Sequence, residues 1–240
     1  MNKNKIIPMV ALIVTTGLIV GCKERINTSD IPNKNNGIVD ENKNLENKES
    51  ENTYINKEYL ILANKQNHLG KEYIPDKLTE LTVNYIGSQE TKYLKDEASK
   101  ALELLFEAAK SDGVQLMGKS AYRSYNTQVA TYNSKIQKLG QTEADKFSAK
   151  PGASEHQTGL AIDIISSEFG KLHTDFQYTN TYKWLVKNCA KYGFILRYPK
   201  GTSGITGYNF EPWHYRYVGI EHAEKIMNDN LTLEEYLNSL

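Results

Sequence analysis

The chain has 240 residues, with 29 lysines and arginines balanced by 29 aspartates and glutamates. No basic block and no interleaving of aromatic with basic residues occurs along it, which argues against a nucleic-acid partner. Two cysteines are too few for a disulfide framework, so the fold must stand on its apolar core and on any metal it holds.

The chain opens with a leader rather than with a fold. Lys3 and Lys5 form a basic start, and Ile6 to Val20 is an apolar run interrupted by Pro8. That run falls short of the roughly 20 residues that a membrane span needs. It ends in Leu18-Ile-Val-Gly21-Cys22, which resembles a bacterial lipobox, with isoleucine in place of leucine three residues before the cysteine. The resemblance implies a signal peptide over residues 1–21, a lipid on Cys22 and export to the outer face of the cytoplasmic membrane. Residues 22–53 are rich in Asn, Lys and Glu and carry no aromatic side chain. Such a segment buries too little surface to offset its ordering entropy and reads as a disordered tether.

Residues 54–240 suffice for one well-cored domain. Residues 54–76 read as irregular, and Leu78 to Tyr85 as a short strand. Leu94 to Lys110 repeats its apolar residues at helical spacing and stops at Asp112-Gly113. Val114 to Ala121 reads as a strand. Ser124 is the expected N-cap of a helix running to Leu139 and stopped by Gly140, with a further helical turn over Thr142 to Phe147. Leu160 to Ile165 reads as a buried strand, Thr181 to Lys191 as a helix and Gly193 to Tyr198 as a strand. Lys200 to Tyr208 is expected as a Gly-rich loop, Trp213 to Val218 as a strand, and Glu221 to Met227 and Leu233 to Leu237 as helices. Cys189 falls in an apolar helical stretch and reads as a small core residue rather than a reactive thiol. Helices and short strands alternate without regular βαβ repetition, so the class is α+β, a small, mostly antiparallel sheet flanked by helices and flooring a cleft.

Two segments concentrate the chemistry. Ser154-Glu-His156-Gln-Thr-Gly159-Leu-Ala161-Ile-Asp163 and Glu211-Pro-Trp-His214 together supply two imidazoles, an aspartate inside an apolar run and a second carboxylate. An acid in such a run is costly unless paired or bound to a cation. This is the inventory of a catalytic zinc site, with three protein ligands and an open fourth position. Glu211 is then the spare carboxylate, placed to act as a general base. A helix would separate His156 from Asp163 by about 10 Å along its axis. The segment must instead turn at Gly159 and enter a strand, with His214 arriving from a neighbouring strand and Pro212 holding Glu211 and His214 in an extended relation. His68, His173 and His222 fall outside these segments and read as solvent-facing.

The pattern resembles the VanY-type zinc D-alanyl-D-alanine carboxypeptidases, a group that also includes L,D-carboxypeptidases, D,D-dipeptidases and the amino-terminal signalling domain of hedgehog proteins. It matches at Ser154, His156, Gly159, Ala161 and Asp163, again at Glu211 to His214, and in a third block at Tyr122-Arg123-Ser124 and Gln128. The resemblance implies the hedgehog-like fold with one Zn2+ in the cleft, held by His156, Asp163 and His214, and Glu211 as catalytic base. It implies an enzyme that takes C-terminal D-alanine from peptidoglycan stem peptides, with D,D cleavage favoured; the chain is expected to act as a monomer. L,D cleavage of tetrapeptide stems, or a zinc-dependent wall-binding module without turnover, remain as alternatives. Arg123 is the candidate for stabilising the oxyanion or for holding the substrate's terminal carboxylate. Gln128, Ser154 and Trp213 are further substrate-contact candidates.

Overall fold

The computed structural model describes residues 58–240. The expected signal peptide, Cys22, the tether and the first residues of the domain lie outside them. No helix among the described residues is long and apolar enough to cross a membrane.

Two sheets, both antiparallel, organise the described residues. β1 (Leu78–Glu80) pairs with β2 (Tyr93–Lys95). The larger sheet has the order β3 (Leu116–Ser120), β4 (Ala161–Ser166), β6 (His214–Tyr217), β5 (Phe194–Leu196). The helices are α1 (Asp96–Ser111), α2 (Tyr125–Leu139), α3 (Gln141–Phe147), α4 (Asn180–Asn188), α5 (Ser203–Thr206), α6 (Ile220–Asn228) and α7 (Leu233–Asn238). The α+β class expected from the sequence is the one observed.

Side chains alternate along a strand, and this separates the larger sheet into a core face and a chemical face. Ile162, Ile164, Phe194, Leu196, Tyr215 and Tyr217 join the main core. Ala98, Leu102, Leu105 and Ala109 of α1 are all fully buried in the same cluster, which is why they recur at helical spacing. Asp163 and His214 face each other in register, as do Ala161 and Arg216. They occupy the alternate positions and so share the opposite face. A smaller core joins Leu60, Ile195 and Val218 to α6 and α7 through Ala223, Ile226, Leu233 and Tyr236.

Several boundaries differ from expectation, each for a local reason. Leu94 belongs to β2, and the helix begins only at Asp96, because Lys95 is extended (ψ 145°) and pairs with Leu78. The helix expected to run on to Lys191 ends at Asn188 and tightens into a 3-10 turn over Cys189–Tyr192. Cys189 is fully buried there, and burial pushes its thiol pKa up to about 12. The Gly-rich loop contains the short helix α5. His222 is not solvent-facing: α6 buries it against the smaller core, with its Nδ1 2.6 Å from the Tyr236 hydroxyl. His68 and His173 are exposed, as expected. The Ser124 cap is formed, its Oγ accepting from the Thr127 N–H at 3.1 Å, and Gly140 ends α2.

Candidate metal centre and cleft

The segment after Ser154 is a 3-10 turn, Glu155–Thr158, closed by Gly159 at φ 69°. Glycine takes that conformation without strain. A Cβ on Gly159 would also lie 3.1 Å from the side chains of Leu78 and Pro75. The turn delivers His156 to the point where β4 presents Asp163, and β6 adds His214 directly opposite Asp163. β3 shifts register between Gly118 and Ser120, beside Asp163, the kind of irregularity that re-aims side chains near sites. Glu211-Pro-Trp-His214 is not extended: the His214 N–H donates to the Glu211 carbonyl at 3.1 Å, closing a β-turn. Proline prefers the second position of such turns because its φ is already set there. The Glu211 N–H in turn donates to the Tyr198 carbonyl at 3.2 Å.

His156, Asp163 and His214 are buried, and their ligand atoms lie within 4.8 Å of one another. Asp163 Oδ1 is 3.2 Å from His214 Nδ1 and 3.6 Å from His156 Nε2. Bonds of about 2.0–2.1 Å give a tetrahedral site edges of about 3.3 Å; the two Asp163 distances are of that size, and two imidazoles with one carboxylate are the donor set of one zinc ion. The outer nitrogens agree. His156 Nδ1 is 2.7 Å from the Ala121 carbonyl, and His214 Nε2 is 3.4 Å from the Glu155 carboxylate. Each acceptor takes an N–H and leaves the opposite lone pair aimed inward, the usual arrangement of a metal-ligating histidine. The two histidines therefore face the centre through different ring nitrogens.

The electrostatics call for a cation. Burial opposes charge on His214, but its hydrogen bonds to Asp163 and Glu155 outweigh this and push its pKa up to about 9. Burial, aided by the Arg123 charge, pushes His156 down to about 4. Burial would raise the Asp163 pKa, yet His156 and His214 hold it well below the usual carboxylate range. Glu211, whose Oε2 lies 3.9 Å from His214 Nδ1, is pushed up to about 7. Burial is the main cause there; the Asp163 charge adds to it, against the pull of His214 and Arg123.

A cleft of about 960 Å³ opens over the centre, and Arg123, Gln128, Ser154, Glu211 and Trp213 all line it. The Arg123 N–H donates to the His156 carbonyl at 3.1 Å, which knits the third sequence block to the first. Its guanidinium makes no hydrogen bond or ion pair among the described residues, and its buried Nε lacks a partner. Gln128 Nε2 donates to the Ala149 carbonyl at 2.7 Å, while its Oε1 is buried and unpaired. Ser154 is buried and Trp213 half-buried against the main core.

The motifs did not single out Glu155, Arg197 or Arg216. All three are fully buried and ion-paired, Glu155 Oε1 lying 2.7 Å from Arg197 Nε and 3.0 Å from Arg216 Nη1. Burial would raise the Glu155 pKa, but the two arginines hold it well below the carboxylate range. A signal existed: both arginines interrupt apolar or aromatic strand runs, the same anomaly that marked Asp163.

A sheet that presents two histidines and an aspartate at the base of a cleft, with a further glutamate beside them, defines a single-metal hydrolase of the zinc class. The model of the VanY family, D-alanyl-D-alanine carboxypeptidase, matches residues 91–220, more than half of the chain. The chain belongs to that family. It is 42% identical over 184 residues to YodJ of Bacillus subtilis, covering 75% of this chain and 67% of that one. Among solved structures it resembles the LdcB LD-carboxypeptidase (TM-score 0.71, 41% identity, covering 76% of this chain and 87% of that one). It also resembles a variant of the vancomycin resistance D,D-pentapeptidase VanY, from a VanB-type cassette, in complex with Zn(II) (TM-score 0.64, 37% identity, covering 75% and 99%).

Proposed function

We propose that this protein is a zinc carboxypeptidase that removes the terminal D-alanine from peptidoglycan stem peptides by D,D cleavage. The observation that carries this is the convergence of His156 Nε2, Asp163 Oδ1 and His214 Nδ1 on one point beneath a cleft that also holds Glu211 and an unpaired Arg123. His156, Asp163 and His214 would hold the ion. Zinc, when bound, supplies a Lewis acid that polarises the scissile carbonyl and makes water a competent nucleophile at neutral pH.

The rest of the chemistry belongs to the chain. The Glu211 carboxylate takes the proton of the attacking water and returns it to the nitrogen of the departing D-alanine. A cation at the centre offsets the burial that raises the Glu211 pKa and so favours its basic form. Arg123 meets the terminal carboxylate of the peptide with its planar fork, and the unpaired state of its guanidinium supports that role. Gln128, Ser154 and Trp213 shape the cleft around the last residues of the stem. All of these groups come from one chain, which supports action as a monomer.

The proposal extends to location. Cleavage before Cys22 and lipid on its sulfur would tether the domain by residues 22–53 on the outer face of the cytoplasmic membrane, where stem peptides are found. The lipobox motif supports this part.

Mass spectrometry of purified pentapeptide and tetrapeptide muropeptides, incubated with the protein with and without chelator, tests the reading. The expected result is chelator-sensitive loss of one alanine from the pentapeptide. Likeness to an LD-carboxypeptidase favours a second specificity, which the same spectra would reveal as loss from the tetrapeptide. No loss from either peptide would refute the enzyme.

A further inference from the structure

Behind the metal ligands lies a buried chain of charges that the mechanism does not use. Glu155 receives three donors: Arg197 Nε at 2.7 Å and Arg216 Nη1 at 3.0 Å, both on Oε1, and His214 Nε2 at 3.4 Å on Oε2. The arginines are themselves immobilised. Arg197 forks onto Glu234 of α7 at 2.8 and 2.6 Å, and Arg216 Nη2 donates to the Tyr59 and Ile61 carbonyls at 2.8 Å each. Neither arginine is exposed. A buried ionic network of this kind contributes little net stability compared with apolar packing, because each charge is desolvated. What it does supply is a carboxylate oxygen that cannot move. The two arginines occupy one oxygen, and among the described residues only His214 bonds the other.

We propose that Glu155 is a positioning residue for His214: clamped by Arg197 and Arg216, it holds the ring N–H on Nε2 and so turns Nδ1 toward the metal. This inference rests on the zinc reading above. His156 has a backbone carbonyl in the equivalent role, so only the His214 ring depends on a side chain for its orientation.

Glu155→Gln keeps the volume and removes the symmetry of the acceptor. The amide oxygen goes to the two arginines, the stronger donors, and its NH2 then meets the His214 N–H donor to donor. Zinc affinity of the full chain, measured by competition with a chromophoric chelator on protein of native circular dichroism, should fall about 10- to 100-fold. A purely structural Glu155 would lower the melting temperature of the metal-free protein and leave the zinc affinity of the folded protein unchanged; that result overturns the proposal. Should the variant fail to fold, long-range 1H–15N spectra of the zinc-loaded wild-type chain decide. The expected pattern is a His214 ring that binds through Nδ1 and carries its proton on Nε2, opposite to His156. Binding of His214 through Nε2 overturns the proposal. A His214→Ala protein with wild-type zinc affinity would instead overturn the zinc site itself, and so separates the two failures.

Discussion

Glu211 and Arg123 carry separable jobs, and each has its own signature. Glu211→Gln should retain zinc and fold yet lose about 10²–10⁴-fold in kcat, because the base is gone and the Lewis acid is not. Loss of zinc from that variant would make Glu211 a ligand. Its pKa also predicts a stability effect in the metal-free protein. The folded-state value is raised from 4.5 to about 7, so ionising Glu211 weakens the fold as pH rises through that window. Metal-free Glu211→Gln should therefore exceed wild type in stability at pH 8, by on the order of 3 kcal/mol. The advantage should vanish below about pH 4.5, where the carboxyl is protonated in both states. Melting temperatures at the two pH values test this; equal values at pH 8 would contradict the raised pKa. Arg123→Lys keeps the charge but loses the fork, and kcat/KM should fall at least about tenfold, or about 1.4 kcal/mol. If Arg123 meets only the terminal carboxylate, amidating the substrate should cripple wild type and add little further loss in the variant. Cleavage of the free-acid peptide by Arg123→Lys at the wild-type rate would make Arg123 structural.

At the scale of elements, the site depends on how a turn hands over to a strand. Gly159 ends the 3-10 turn in the left-handed region, with Leu78 and Pro75 packed against the position a side chain would need. Gly159→Ala should cost at least about 1–2 kcal/mol, combining backbone strain with the steric push. It should also weaken zinc binding, since it shifts His156 relative to Asp163. Chemical denaturation and chelator competition measure the two effects, and wild-type values in both would show that the turn tolerates a side chain. The α2 boundaries were legible because a Ser cap and a Gly stop act locally, through hydrogen bonds within a turn of the helix. The start of α1 was not, because Leu94 is buried whether it ends a strand or begins a helix; pairing of Lys95 with Leu78 decided the matter.

For the whole molecule, the metal and the proposed lipid anchor are the two external supports. Free zinc at about a hundred times its dissociation constant adds about 2.7 kcal/mol to the native state. For a domain of this size that corresponds to a shift of roughly 5–10 °C. Chelation should lower the wild-type melting temperature by that amount and leave His156→Ala unchanged; an equal response in both would place the zinc elsewhere. Cys22→Ser should leave the membrane fraction or accumulate as unprocessed precursor. A correctly cleaved Cys22→Ser protein that still sediments with membranes would refute lipid attachment as the anchor.

The sequence by itself determined the donor set, the third block and most of the elements. Those depend on residue type and short-range order: a buried acid in an apolar run, an imidazole at a fixed distance from a glycine, a cap before a helix. Tertiary structure alone decided the opposite ring nitrogens of His156 and His214 and the partners that hold them. Ala121 and Glu155 reach those rings from 35 and 59 positions away, and Glu155 is itself held by arginines from two other strand regions. Such partners are chosen by strand register and shared burial, which no local pattern encodes. Register is fixed only when β4 and β6 pair and bring Asp163 opposite His214.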